Sequence, residues 1–134
     1  MLDIIHQDDA FVVVDKSAGL LTVPGRGPDK QDCLYNRLLV EFPDVLMVHR
    51  LDMDTSGLVL FARSPEVQRN LSMQFEKREV DKTYMALVEG IVEQDEGLID
   101  YPMRKDMEQR LPPYLLIDCV RGKPAVTEWE GVGR

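Results

Sequence analysis

The sequence has 134 residues, of which 44% are apolar and 30% are charged, and its formal net charge is −8. The length and composition are those of one ordinary globular domain that builds a core without disulfide or metal staples. The acidic balance argues against a nucleic-acid partner, although binding depends on local charge patches rather than on the total.

Two further features bear on where the protein works. The first six residues lack the basic and apolar regions of a signal peptide, and the apolar runs are too short to span a bilayer. Cys33 and Cys119 do not have the spacing of a metal or redox motif, so we expect free thiols in a reducing compartment. The expectation is a cytoplasmic protein with no membrane partner.

The N-terminal part of the chain predicts two strands and a helix. Short apolar runs at residues 4–6 and 10–15 indicate strands joined by a turn. Asp32 is expected to cap a helix over residues 33–42, in which apolar residues recur every four positions. Pro43 is expected to end that helix.

The remainder predicts a second helix among several strands. Ser64 followed by Pro65 is typical of a helix start, and an apolar strand precedes them. Further strands are predicted at residues 82–90, 114–120 and 125–130, with a turn at residues 94–97. Strands interrupted by two helices, without strict alternation, predict an α+β fold with a mixed, largely antiparallel sheet. No internal boundary is visible, so residues 1–134 are expected to belong to one domain.

The most unusual segment runs from His49 to Ala62 and reads HRLDMDTSGLVLFA. It sets the carboxylate of Asp52 beside Arg50, follows both with the polar turn Thr55-Ser56-Gly57, and continues into an apolar strand. Active-site carboxylates are often mounted in this way, on a loop at the end of a sheet. Arg50 and His49 are expected to orient the Asp52 carboxylate and to favour its ionised form.

Other interpretations of this loop remain open from the residues alone. Asp52 can form a local ion pair with Arg50 or accept hydrogen bonds from backbone amides, as loop aspartates often do. His49, Asp52 and Asp54 form a poor ligand set for a metal ion, because they are adjacent loop residues without a second cluster. A nucleophilic Ser56 is weaker still, since it has no paired base.

The segment resembles the catalytic motif of the RluA family of pseudouridine synthases, His-Arg-Leu-Asp-x-x-Thr-Ser-Gly followed by an apolar strand. Every fixed position of that pattern is filled between His49 and Gly57. Three flanking matches occur in the family's order. Residues 9–20 resemble the family's opening strand and its Lys-Pro-x-Gly-Leu turn, with Ser17 in place of the proline. Lys82-Thr83-Tyr84 resembles the Lys-x-Tyr motif, and residues 122–129 resemble the Gly-Lys-x-Ala-x-Thr strand.

The resemblance implies isomerisation of uridine in rRNA or tRNA stem-loops, in which the glycosidic bond is cut at N1 and remade at C5. Asp52 would be the catalytic carboxylate, acting either as nucleophile or as base. The target base would be flipped out of the RNA. Arg50 would fill the space it leaves, and Tyr84 would pack on the flipped uracil, although a strand tyrosine in the core is the structural alternative.

The resemblance also implies which residues bind the rest of the RNA and that the reaction needs no cofactor. His49 and Thr55 belong to the same substrate-binding motif, and phosphate recognition would fall to Lys16, Arg26 and Lys82. No organic cofactor or metal ion follows from this redox-neutral chemistry.

The family domain continues beyond the part matched here, into a Thr-Gly-Arg-x-His-Gln-(Leu/Ile)-Arg-x-His motif whose basic residue pairs with the catalytic aspartate. The only histidines of this chain are His6 and His49, so the motif is absent from it. We therefore expect an N-terminal portion of the catalytic domain that is inactive alone and prone to self-association, whereas the full-length protein is expected to be a monomer. The alternative is a catalytically silent RNA-binding remnant.

Overall fold

The computed structural model describes residues 2–106 and 115–133. Backbone contacts divide the chain into two compact units, Met1–Thr83 and Tyr84–Arg134. The first unit contains one four-stranded sheet and two α-helices, and the second contains two two-stranded sheets. All the paired strands are antiparallel, which confirms the predicted α+β class.

The sheet of the first unit provides the frame for the loop that runs from His49 to Gly57. Its strands are β1 (Asp3–Gln7), β2 (Phe11–Lys16), β3 (Leu46–Met47) and β4 (Gly57–Ala62), in the order β1-β2-β4-β3. In the central pair Phe11 lies opposite Ala62 and Lys16 lies opposite Gly57. The predicted strands at residues 4–6 and 10–15, and the strand after the motif, are confirmed.

Alternation along the two central strands places one face of the sheet in the core. Val12 and Val14 of β2 and Val59 and Phe61 of β4 are fully buried. Removing such side chains from water is the main stabilising contribution to a sheet packed on one face. Lys16 has the same parity as Val12 and Val14, and it is buried with them.

The first helix, α1 (Leu34–Glu41), packs Leu34 and Leu38 into this core. Its predicted cap is wrong. The N-cap is Cys33, whose Sγ accepts a hydrogen bond from the Asn36 amide at 3.4 Å. Asp32 instead pairs with Arg37 through two hydrogen bonds of 2.7 and 2.8 Å, because a guanidinium offers a carboxylate two charged donors.

The second helix, α2 (Pro65–Glu76), begins as predicted. The Ser64 hydroxyl accepts a hydrogen bond from the Val67 amide at 3.2 Å, and Pro65 occupies the first turn. Val67, Leu71 and Phe75 lie half-buried along one face of the helix.

The second unit is built from two pairs of antiparallel strands. Strands β5 (Glu96–Asp100) and β8 (Val126–Glu130) form one pair, and β6 (Met103–Lys105) and β7 (Leu115–Ile117) form the other. The strand predicted at 125–130 is confirmed from residue 126, and the one predicted at 114–120 is confirmed only over Leu115–Ile117. Residues 118–120 enter a turn instead, closed by the Gly122 amide on the Asp118 carbonyl oxygen at 2.8 Å, and Tyr114 lies outside the described residues. The turn predicted at residues 94–97 extends two residues too far, since Glu96 and Gly97 are the first residues of β5.

The strand predicted at residues 82–90 is wrong, since the structure gives this segment no regular structure and leaves most of it exposed. Alternation alone does not make a strand, because an extended segment also needs a neighbour to accept and donate its backbone hydrogen bonds. Cys33 and Cys119 are free thiols, as expected. Within the described residues no helix is long and apolar enough to cross a bilayer.

Candidate active site

Asp52 occupies the first position of a tight turn that leads into β4. The Thr55 amide donates a hydrogen bond of 3.1 Å to the Asp52 carbonyl oxygen, which closes a four-residue turn. Gly57 follows with φ +139°, a conformation that residues with a side chain rarely adopt. The turn and this glycine together direct the chain from the loop into the sheet.

The residue before Asp52 is held by a buried hydroxyl. Thr22 is only 2% exposed, and its Oγ1 donates to the Leu51 carbonyl oxygen at 2.6 Å and accepts from the Leu51 amide at 3.2 Å. The Thr22 carbonyl oxygen in turn accepts from the Tyr35 amide at 3.0 Å, in the first turn of α1. Leu51 is therefore tied to the helix through a single side chain.

The residue after Asp52 is held by a buried ammonium group. Lys16 is 1% exposed, and its Nζ donates to the carbonyl oxygens of Leu20, Ser17 and Met53 at 2.6, 2.9 and 3.0 Å. The Gly19 amide also donates to the Met53 oxygen, at 2.8 Å. Both peptide neighbours of Asp52 are thus fixed to the folded unit.

The surroundings of Lys16 act on its pKa in two directions. Burial lowers the pKa of its ammonium group, and the carboxylates of Asp54 and Asp52 act in the opposite direction. The prediction that Lys16 contacts RNA phosphate is wrong, because its Nζ is buried on three carbonyl oxygens. Arg26 and Lys82 are exposed, so the same prediction stays open for them.

The side chain of Asp52 itself is exposed. Within residues 2–106 and 115–133 its carboxylate has neither a hydrogen bond nor an ion pair, so the local ion pair with Arg50, one of the alternative interpretations, is not formed. Arg50 is likewise exposed and unpaired in that part of the chain. A fixed backbone with a free carboxylate is the geometry of a group that is presented to a ligand.

His49 is used within the fold. Its Nε2 accepts a hydrogen bond from the Leu60 amide of β4 at 3.0 Å, and its ring stacks on Phe75 of α2 with centroids 4.4 Å apart. Burial, and to a smaller extent Lys82, lower the His49 pKa. These contacts require a neutral ring with its proton on Nδ1.

The other predicted substrate-binding residues lie in different parts of the chain. Thr55 closes the Asp52 turn with its amide and is half-buried. Tyr84 is the first residue of the second unit and is 58% exposed. It is not the core strand tyrosine that was the structural alternative.

Thr22 was not predicted to be a site residue and Lys16 was predicted to contact phosphate, yet these two residues hold the Asp52 turn. A signal for Lys16 was present, because it shares strand parity with Val12 and Val14 and was bound to point into the core. No signal in the sequence distinguishes Thr22, since its partner lies 29 positions away. Across the described part of the chain, no three His, Cys, Asp or Glu residues are grouped to hold a metal ion.

Comparison with known proteins gives one consistent result. Residues 10–133 match the model of the RNA pseudouridylate synthase family. The dual-specificity RNA pseudouridine synthase RluA of Pasteurella multocida is 46% identical over 133 residues, which are 99% of this chain and 60% of that protein. Its Escherichia coli counterpart is 42% identical over 131 residues, which are 98% of this chain and 59% of that protein.

Two solved human structures show the same fold. Human RNA pseudouridylate synthase domain containing 1 superposes with a TM-score of 0.75 at 26% identity, covering 96% of this chain and 51% of that one. Domain containing 4 gives 0.69 at 23% identity, covering 94% and 52%, and this likeness shows the fold alone. The chain spans about 60% of the length of the first of these curated relatives, and it belongs to the RNA pseudouridylate synthase family.

Proposed function

We propose that residues 1–134 are the N-terminal portion of a catalytic domain that isomerises uridine to pseudouridine in RNA, and that Asp52 is its catalytic residue. The observation that carries the proposal is the exposed, unpaired carboxylate of Asp52 on a turn whose two neighbouring peptides are fixed. The family membership supports the reaction class. Holding a reacting group in place before substrate arrives lowers the entropy cost of the reaction.

In this reaction the bond between the ribose C1′ and N1 of uracil breaks, and a bond between C1′ and C5 forms. The hydrogen of C5 is released to solvent, and N1 acquires a proton. Asp52 acts either as the nucleophile or as the base that removes a sugar proton. No electron is transferred to an acceptor and no group is supplied from outside, so the proposed reaction uses no cofactor.

The remaining site residues are proposed to receive the flipped nucleotide. Arg50, exposed two residues before Asp52, would enter the space that the base leaves in the RNA stack. Tyr84, more than half exposed, offers a ring face for stacking on uracil. Thr55 and His49 would support the substrate from the turn and from the edge of β4.

We further propose a structured rRNA or tRNA stem-loop as the partner, in the cytoplasm, since the Pasteurella and Escherichia relatives are named as dual-specificity RNA pseudouridine synthases. Arg26 and Lys82 are exposed cations available to its phosphates. The full-length protein is proposed to be a monomer. The 134-residue chain is proposed to self-associate, because its second unit exposes large apolar side chains such as Leu87, Ile91 and Val120.

The direct test measures tritium released from uridine labelled at C5 within a stem-loop RNA, using the longest natural protein that contains these residues. Asp52→Asn should lower the single-turnover rate by about 10³-fold, as expected for loss of an essential acid–base or nucleophilic group. Asp54→Asn is the matched control, because it removes a carboxylate from the same turn, and it should change the rate only a few-fold. Equal rates for wild type and Asp52→Asn would contradict the proposal.

The 134-residue polypeptide should release tritium only at background, because its sequence does not contain the basic motif of the family. Normal turnover by this polypeptide would refute that expectation. Binding of the stem-loop by the longer protein, without pseudouridine and unchanged by Asp52→Ala, would instead identify a silent RNA-binding remnant.

A further inference from the structure

The hydroxyl of Thr22 makes an unusual pair of hydrogen bonds. It donates to the carbonyl oxygen and accepts from the amide of the same residue, Leu51, at 2.6 and 3.2 Å. Both atoms belong to the peptide groups on either side of the Leu51 Cα, so the contact fixes the position and the rotation of that backbone segment. The second of these peptide groups joins Leu51 to Asp52, so the same contact fixes the backbone at the Asp52 amide nitrogen.

Thr22 is itself firmly held. Its carbonyl oxygen accepts from the Tyr35 amide at 3.0 Å, and the preceding Leu21 carbonyl oxygen accepts from the Leu34 amide at 2.8 Å. Leu21 also bridges to Cys33, the residue that caps α1. The N-terminal turn of α1 is thereby connected, through one buried side chain, to the residue before Asp52.

We propose that Thr22 is a positioning residue that fixes the orientation of Asp52 by holding the Leu51 peptide groups against α1. The inference rests on the proposed function of Asp52, because positioning matters only if that carboxylate reacts. Lys16 and the Gly19 amide hold Met53 on the far side, so loss of the Thr22 contact frees one end of the turn while the other end stays attached.

A buried hydroxyl is required because the Leu51 amide and carbonyl both need a partner in a position that water does not reach. Valine has the shape of threonine but can neither donate nor accept. Serine keeps the hydroxyl and loses only a methyl group. The comparison of Thr22→Val with Thr22→Ser therefore separates the hydrogen bonds from the packing.

The first measurement is amide hydrogen exchange in the 134-residue chain. In Thr22→Val the Thr55 amide, which closes the Asp52 turn, should lose protection by about tenfold or more. The amides of Phe42 and Gln68, which donate within or next to the helices, are the controls and should be unchanged. Thr22→Ser should restore protection at Thr55. Equal protection in all three chains, or an equal loss at every amide, overturns the inference.

If Thr22→Val does not fold, Thr22→Cys provides the same comparison, because a thiol is a weaker donor and acceptor than a hydroxyl. Selective loss of Thr55 protection in that variant supports the inference, and unchanged protection overturns it.

The second measurement is tritium release by the longer protein. Thr22→Val should lower kcat by about 10²-fold, the size expected for a misplaced reacting group, with KM for the stem-loop unchanged and with recovery in Thr22→Ser. A change in KM alone, or unchanged kcat, overturns the positioning role. Asp52→Asn tests the proposed function separately, and the exchange experiment is independent of activity, so the two failures are distinguishable.

Discussion

Replacing Lys16 by methionine tests how much the buried ammonium group stabilises the first unit. Methionine retains most of the aliphatic length of lysine, so packing along the stem is largely kept. What is lost is the set of three hydrogen bonds from Nζ to the carbonyl oxygens of Leu20, Ser17 and Met53.

The magnitude follows from two opposing contributions. Hydrogen bonds that involve a charged group contribute about 1.5–3 kcal/mol each, so three of them contribute roughly 4.5–9 kcal/mol. Burying the ammonium group of a lysine that is 1% exposed costs several kcal/mol, and methionine avoids that cost. We expect Lys16→Met to lower the free energy of unfolding by about 2–4 kcal/mol.

Urea unfolding followed by circular dichroism measures this difference. With a urea dependence of about 1–3 kcal/mol per molar, the unfolding midpoint should fall by roughly 0.7–4 M. Lys77→Met, at an exposed position just after α2, is the control and should lie within about 0.5 kcal/mol of wild type. A Lys16→Met chain as stable as that control would refute the reasoning, since the three carbonyl contacts would then contribute nothing net.

Three further predictions concern other contacts of the first unit. The pKa of His49 is lowered in the folded state by burial and by Lys82. The stability that its neutral ring contributes is therefore fully present above about pH 6.5 and is lost as the pH falls through the lowered value. Urea midpoints measured between about pH 5 and 8 should show this dependence in wild type and not in His49→Gln. Leu38→Ala should cost about 2–5 kcal/mol in the same assay, because Leu38 is fully buried in the core. Gly57→Ala should cost about 1–3 kcal/mol through backbone strain at φ +139°, measured by the same unfolding curves.

Each of these has a result that would contradict it. For His49, the same pH slope in wild type and variant would show that another group is responsible. Leu58→Ala, at a half-exposed position of β4, is the control for Leu38, and equal losses would mean that burial is not the cause. An unchanged Gly57→Ala would show that the turn relaxes without strain, since a Cβ there meets Leu51 Cδ1 at only an ordinary 3.7 Å contact.

Much of the first unit could be predicted because the signals are local. A run of three consecutive valines predicts β2, and Ser64 with Pro65 predicts the start of α2, since strand propensity and caps act within a few residues. The predicted N-cap of α1 was wrong because Asp32 could either cap the helix or pair with a cation. Only the position of Arg37 in the folded chain decided for the ion pair.

The segment 82–90 shows the opposite situation. Its alternation is typical of a strand, but a strand exists only when a neighbour supplies the other half of each hydrogen bond. The short strand β3, with two residues, was missed for a related reason, because so brief a run has no period of its own and exists through its pairing with β4.

For the candidate active site, the sequence by itself determined which residue to consider. The run from His49 to Gly57 places Asp52 in a turn before a strand, and its pattern identifies the family. Only the tertiary structure decided how that carboxylate is presented. Thr22 and Lys16 lie 29 and 37 positions from the backbone groups that they hold, and contacts at such separations exist only once the chain has folded and excluded water from them.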